Sequence, residues 1–74
     1  MRNYTLTAVI ESEGDGYVSL CPELDIASQG DTVDEARKNL VEAVEGFLEA
    51  ASPQEIAEML PGEIHVERLE VSVG

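Results

Sequence analysis

The segment 15–48 constrains the fold of this chain most, because its local signals specify a hairpin turn, a break and a helix start in order. Residues 14–16 read Gly-Asp-Gly between two β-prone runs, and glycine supplies the positive φ angles that a tight hairpin turn needs. Thr32 and Glu35 then form a T-x-x-E capping box, in which each side chain can bond an otherwise unpaired amide. A helix should therefore begin directly after Thr32.

The helix predicted from this start has one apolar face. Apolar residues recur along it at steps of three and four, while the charged residues fall mainly between them. The apolar positions are Val33, Ala36, Leu40, Val44, Phe47, Leu48 and Ala51. Such a face indicates that the helix packs against a sheet.

Alternating residues predict three strands before this helix. Residues 4–11 show the period-two pattern of a strand with at least one buried face. Strand two spans 17–20 and ends at Pro22, because proline has no amide hydrogen for ladder pairing. Strand three lies near 26–29, before Gly30 interrupts the extended pattern.

Two further elements are predicted after the long helix. Residues 52–55 read Ser-Pro-Gln-Glu, which is typical of a helix start, so a short helix should run to about Leu60. Residues 63–73 predict a last strand. Its apolar residues change from even to odd positions along the segment, and a bulge near 67–68 would keep them on one face. The order β-β-β-α-(α)-β predicts an α+β fold, an antiparallel sheet with the long helix packed on one face.

The length and charge of the chain limit the kinds of partner it can have. A domain of 74 residues buries only about 60% of the surface that its unfolded chain exposes, and one cysteine cannot form an internal disulfide. We therefore expect a homo-oligomer, either a dimer or a tetramer. Sixteen acidic and four basic side chains give a net charge of −12, which predicts no direct nucleic-acid binding and favours a basic protein partner.

The N-terminal sequence and the hydropathy of the chain predict a cytoplasmic protein without membrane contact. Residues 1–4 lack the apolar core of a signal peptide, and no run approaches the ~20 apolar residues that span a bilayer.

The reactive residue types do not suggest an active site. Cys21 has no neighbouring histidine and is expected to be a small, partly buried side chain, and His65 is expected to be exposed. Acidic residues near the hairpin and after strand two could form an anionic rim, namely Glu11, Glu13, Asp15, Glu23 and Asp25. Because acids are so abundant, chance clustering is expected, and no glycine-rich phosphate loop accompanies them. We therefore predict no enzyme, and no catalytic residue, metal or cofactor.

Four segments together resemble the HicB-type antitoxins. They read D-G-Y-V, C-P-E-L, Q-G-D-T-x-x-E-A-x-x-N and A-V-E-G-F-L. The matching positions are Asp15, Gly16, Tyr17, Pro22, Leu24, Gln29, Gly30, Asp31, Thr32, Glu35, Ala36, Asn39 and Ala43. Family members usually read F-P-D-L-P-G-C before the Q-G step, whereas residues 21–28 here lack the P-G turn. The resemblance implies a reduced RNase H-like fold and one HicB-like domain over residues 1–74, in a short form without a C-terminal DNA-binding segment.

The same resemblance implies a function. HicB-type antitoxins bind and neutralise small basic HicA-type toxins, which cleave mRNA and have a double-stranded-RNA-binding type of fold. We expect the five rim acids Glu11, Glu13, Asp15, Glu23 and Asp25 to contact such a toxin, although the helix acids Glu42, Glu45 and Glu49 offer a second surface. Two other hypotheses stay open: an orphan oligomeric domain without a toxin, and a residual metal-dependent nuclease, which would need converging carboxylates.

Overall fold

Three strands and two helices follow one another in the order β-β-β-α-α. The computed structural model describes residues 3–74; Met1 and Arg2, on which part of the signal-peptide prediction was based, lie outside them. The elements are β1 (Val9–Glu13), β2 (Gly16–Cys21), β3 (Ile26–Gly30), α1 (Val33–Ala50) and α2 (Pro53–Met59). The predicted α+β architecture and the order of these elements are confirmed.

The strands form one antiparallel sheet in which β2 is central. In the β1–β2 hairpin Val9 pairs with Leu20 and Glu13 with Gly16, so the turn itself is only Gly14-Asp15. Gly14 has a φ of +59°, as expected for the first central residue of a type II′ turn. The predicted need for a positive φ in the hairpin turn is therefore met at Gly14.

The first strand is shorter than predicted. Residues 4–8 do not belong to β1, which begins at Val9. The partner strand ends at Cys21 and is followed by Pro22, which has no amide hydrogen to donate. In the register of the hairpin Thr7 would lie opposite Pro22, so the ladder could extend past Val9 by one residue at most.

Both helices begin where predicted, but the reciprocal capping box forms only at α2, and at α1 only its Thr32 half is present. The Thr32 side chain accepts a hydrogen bond from the Glu35 amide at 3.0 Å. At α2 the Ser52 hydroxyl accepts from the Glu55 amide at 3.1 Å, and the Glu55 carboxylate accepts from the Ser52 amide at 3.4 Å. Each cap satisfies an amide that the first helical turn leaves unpaired.

The core lies between α1 and the sheet. Cys21, Leu24 and Leu40 form its centre and are at most 5% exposed. The side chains packed around this centre are Leu6, Ile26, Val44, Phe47, Leu48 and Leu60. The predicted apolar face of α1 is thus the packing face, although Val33 at its start is 46% exposed.

The close approach of α1 to β3 depends on Gly30. A Cβ atom at Gly30 would lie 2.5 Å from the Ala36 amide nitrogen and 2.7 Å from the Glu35 Cβ. Asn39 strengthens this contact, because its Nδ2 donates a hydrogen bond to the Gln29 carbonyl oxygen at 2.7 Å. α1 consequently lies over β3 and β2 and contacts β1 least.

The predicted last strand does not form. Residues 61–74 are exposed and have no secondary structure, and the sheet contains only β1, β2 and β3 among the residues that the structure describes. A strand needs a neighbouring strand to pair with its backbone groups. Residues 63–73 have the side-chain pattern of a strand but no such neighbour. The prediction of a strand with a bulge near 67–68 was therefore wrong for the isolated chain.

Within the described part of the chain, neither helix is both long and apolar enough to span a bilayer.

Candidate protein-binding surface

The sheet has one face under α1 and one face open to solvent. Ser19 and Cys21 are each 1% exposed and point toward α1, and the Ser19 hydroxyl donates a hydrogen bond to the Ala36 carbonyl oxygen at 2.8 Å. Because side chains alternate along a strand, Val18 and Leu20 lie on the opposite face. The register with β1 and β3 then assigns the remaining residues of that face.

We call this surface the open sheet face; its residues are Val9, Glu11, Glu13, Val18, Leu20, Ala27 and Gln29. Val9, Leu20 and Ala27 are paired across the three strands and form an apolar row. Val9 and Leu20 are each 37% exposed, so this row of paired aliphatic side chains is open to solvent. The sequence alone did not single out this row, because its members come together only through the strand register.

Three of the predicted contact acids lie together at the hairpin end of the open sheet face. Glu11 and Glu13 belong to the face itself, and Asp15 lies in the turn that joins β1 to β2. All three are exposed. The structure therefore places Glu11 next to the apolar row, with Glu13 and Asp15 farther along toward the hairpin turn.

The other two predicted acids, Glu23 and Asp25, lie at the opposite end of the sheet. They belong to the turn between β2 and β3, where Asp25 adopts a φ of +54°. The six-residue strand β2 separates this turn from the hairpin turn by about 17 Å, at about 3.3 Å per residue. The five acids therefore form two groups rather than one continuous rim.

Glu23 differs from the other acids because its carboxylate is bonded within the chain. It accepts hydrogen bonds from the Thr7 amide at 2.9 and 3.1 Å and from the Thr7 hydroxyl at 2.7 Å. The Cys21 thiol donates to the same carboxylate at 3.5 Å. Glu23 thus fastens the N-terminal segment to the end of β2, where Pro22 has no amide to continue the ladder.

These contacts change the pKa of two groups. Partial burial alone would raise the pKa of Glu23, but the hydrogen bonds from Thr7, from the Glu23 backbone and from Cys21 outweigh it and hold this pKa below its usual value. Burial is also the largest influence on Cys21 and raises the pKa of its thiol, and the Glu23 carboxylate raises it further. The Cys21 thiol is therefore held protonated at neutral pH.

We predict that Glu23 makes stability fall in acid. A carboxyl group with a pKa lowered by folding stabilises the folded state above its unfolded pKa and loses that contribution as pH falls through its folded pKa. Glu23→Gln should therefore lower the free energy of unfolding at neutral pH by on the order of 1 kcal/mol, a solvent-screened hydrogen-bond contribution. Urea titrations should show this difference shrinking below the ordinary carboxyl pKa of 4.5.

The matched control for this experiment is Glu13→Gln, which removes the same charge from an exposed strand residue. Its effect on the free energy of unfolding should be close to zero at neutral pH. If Glu23→Gln and Glu13→Gln behave alike over the whole pH range, Glu23 does not fasten the N-terminal segment in solution.

The remaining reactive side chains lie where the sequence suggested. Cys21 is a buried core residue, and the His65 side chain is 69% exposed and lies 3.2 Å from the Glu63 carboxylate. Tyr17 is half-buried on the helix side of β2. Among residues 3–74, no three His, Cys, Asp or Glu side chains approach closely enough to hold a metal ion.

The chain is similar over part of its length to a curated protein. It is 45% identical over 49 residues to the UPF0150 protein ssr1765 of Synechocystis sp., covering 64% of this chain and 62% of that protein. The chain therefore matches less than two thirds of the length of that relative. No known protein-family profile matches the chain, and no solved structure does.

Proposed function

We propose that this chain is an antitoxin-like protein-binding module that binds and neutralises a small basic RNA-cleaving toxin of the HicA type. The observation that carries the proposal is the open sheet face, where the apolar row of Val9, Leu20 and Ala27 adjoins Glu11, with Glu13 two residues farther along the same face of β1. The sequence resemblance to HicB-type antitoxins supports the identity of the partner.

The charge of the chain supports a cationic partner. The net charge of −12 attracts a basic protein over a distance of about 8 Å at physiological salt and repels the phosphates of nucleic acids. A toxin that cleaves RNA needs a cationic surface to hold its substrate. An acidic domain that covers this surface excludes RNA without any catalytic residue of its own.

The apolar row supports a docking site in addition to long-range attraction. Surface carboxylates speed the association of two proteins, but exposed charge pairs contribute little to the lifetime of the complex. Aliphatic side chains that leave water on binding slow dissociation. The open sheet face combines both requirements, whereas Glu23 is bonded to Thr7 and is less available to a partner.

The proposal predicts tight binding to a HicA-type toxin encoded next to this chain. The purified pair should form a complex, RNA cleavage should stop, and the association rate should fall as salt is raised. Stopped-flow binding and a cleavage assay measure these results. If no neighbouring basic protein binds the chain, the antitoxin hypothesis fails.

Charge reversals can locate the binding surface. Glu13→Lys with Asp15→Lys should weaken toxin binding about tenfold more than Glu42→Lys with Glu49→Lys, which makes the same net-charge change on α1. All four residues are exposed, so the fold should tolerate both pairs. Equal losses of affinity would mean that net charge matters and that the hairpin end is not the docking surface.

A second candidate function is an orphan oligomeric domain without a toxin. The exposed apolar residues of the C-terminal segment favour it, since Leu69, Val71 and Val73 are between 77% and 95% exposed. A chain that assembles with itself but binds no basic protein would support this candidate.

A further inference from the structure

An apolar groove runs between α1 and the N-terminal segment, which leads into β1. We call it the α1–β1 groove; it is lined by Tyr4, Leu6, Ala8, Val41, Val44 and Leu48, among others, and has a volume of about 340 Å³. Val41, Val44 and Leu48 form one stripe along α1, at steps of three and four residues. Val41 is 48% exposed, so this stripe extends beyond the part of α1 that the sheet covers.

The edge of the sheet next to this groove is unpaired. β1 is an outer strand, and its outward amide and carbonyl groups are a template for another strand. The opposite outer strand, β3, is partly covered because α1 lies over it and Asn39 bonds its Gln29 carbonyl. The structure thus offers a strand a backbone partner at β1 and an apolar groove where the N-terminal segment leads into that strand, at Ala8.

The C-terminal segment has the alternating apolar pattern of a strand that could pair with β1. We call residues 64–73 the tail; Leu69, Val71 and Val73 alternate along it and are 84%, 77% and 95% exposed. The tail projects from the body, since the Cα radius of gyration is 14.5 Å, compared with about 11 Å for a compact domain of this length. The chain by itself therefore leaves both the tail and the groove uncovered.

We propose that the tail of one copy adds as a fourth strand to the β1 edge of a second copy and places Leu69, Val71 and Val73 in its α1–β1 groove. Reciprocal exchange joins two copies through two equivalent sites, which closes a twofold dimer. Each copy then contributes its ten tail residues and a similar number of groove and edge residues, close to the ~20 residues per side of a standard interface. The exchanged strand supplies the backbone partner that residues 63–73 lack in the isolated chain.

The charge of the groove fits contact between like copies. Among the described residues that line the groove, Glu45 is the only charged one, on a chain with a net charge of −12. Two acidic copies repel each other least where such an apolar surface is shared. Because salt screens the remaining repulsion, raising salt should strengthen the dimer, in contrast to toxin binding, which it should weaken.

The first test is the oligomeric state of the full chain. Sedimentation equilibrium should show a dimer, and Val71→Lys should raise its dissociation constant about tenfold or more, because a lysine cannot enter the groove without losing hydration. Ser72→Lys introduces the same charge at the next residue, whose side chain lies on the opposite face of the strand. It should change the dissociation constant much less. Glu49→Lys is a control on α1. A monomer at high micromolar concentration, or equal effects of Val71→Lys and Ser72→Lys, would overturn the proposal.

The second test distinguishes exchange between copies from folding back within one chain. A spin label on the Val71→Cys variant reacts selectively, because Cys21 is 1% exposed. Mixed with isotope-labelled chain that carries no spin label, it should broaden the amide signals of residues 8–13 and 41–48. If those signals stay sharp, while the same residues are broadened in a chain that carries both labels, the tail folds back within one copy and the proposed exchange is wrong.

Discussion

Gly30→Ala should destabilise the protein by about 3 kcal/mol, which for a chain of this length is a large share of a total of roughly 4–11 kcal/mol. The added methyl group would lie 2.5 Å from the Ala36 amide nitrogen and 2.8 Å from the Glu35 carbonyl carbon. Both are backbone atoms in the first turns of α1, so the clash cannot be relieved by rotating a side chain. Either α1 moves away from β3 or the end of β3 is displaced, and both changes loosen the core.

Gly46→Ala is the matched control, with the opposite expected sign. Gly46 lies in α1, and a Cβ atom there would have no other atom within 4 Å. Alanine should stabilise the helix by about 0.5–1 kcal/mol, because it loses less backbone entropy on folding. Urea unfolding followed by circular dichroism measures both variants. If Gly30→Ala proves as stable as Gly46→Ala, the close approach of α1 to β3 does not hold in solution.

Leu40→Ala should cost about 3 kcal/mol and bring the protein close to unfolding. Leu40 is 3% exposed and packs with Cys21 and Leu24 at the centre of the core. Removing its terminal isopropyl group leaves a cavity in a protein whose core has few large side chains to close it. The expected result is a much lower urea midpoint, with the slope of the transition unchanged if unfolding stays two-state.

Val33→Ala is the comparison for the core variant. It also shortens an aliphatic side chain on α1, but Val33 is 46% exposed. The free energy of unfolding should change by less than about 0.5 kcal/mol, since little buried surface is lost and alanine favours a helix. Similar losses for Leu40→Ala and Val33→Ala would contradict the proposed packing face of α1.

The parts of the fold that were predicted correctly depend on contacts between residues close in sequence. The hairpin turn at Gly14 and the helix caps at Thr32 and Ser52 each involve groups within four residues of one another. The apolar spacing of α1 likewise identified the face that packs on the sheet. Such features can be predicted from a single sequence because the interacting groups are close together along the chain.

The candidate site was predicted only in part. Glu11, Glu13 and Asp15 are exposed near one another, as their positions in the sequence suggested. In the sequence, Glu23 and its neighbours look like those of any surface acid. Its carboxylate nevertheless accepts hydrogen bonds from Thr7, sixteen residues away. No local pattern distinguishes these two situations.

The sequence by itself determined the order of turns, caps and helices, because each of these depends on backbone groups within one or two turns of chain. Tertiary structure alone decided where β1 begins, whether residues 63–73 form a strand, which face of the sheet stays open, and why residue 30 is a glycine. A strand needs the backbone of another strand, and a close approach needs a second element, so neither property belongs to a segment alone. The tail shows the same limit: its alternation suits a strand, but the chain provides no neighbour for it.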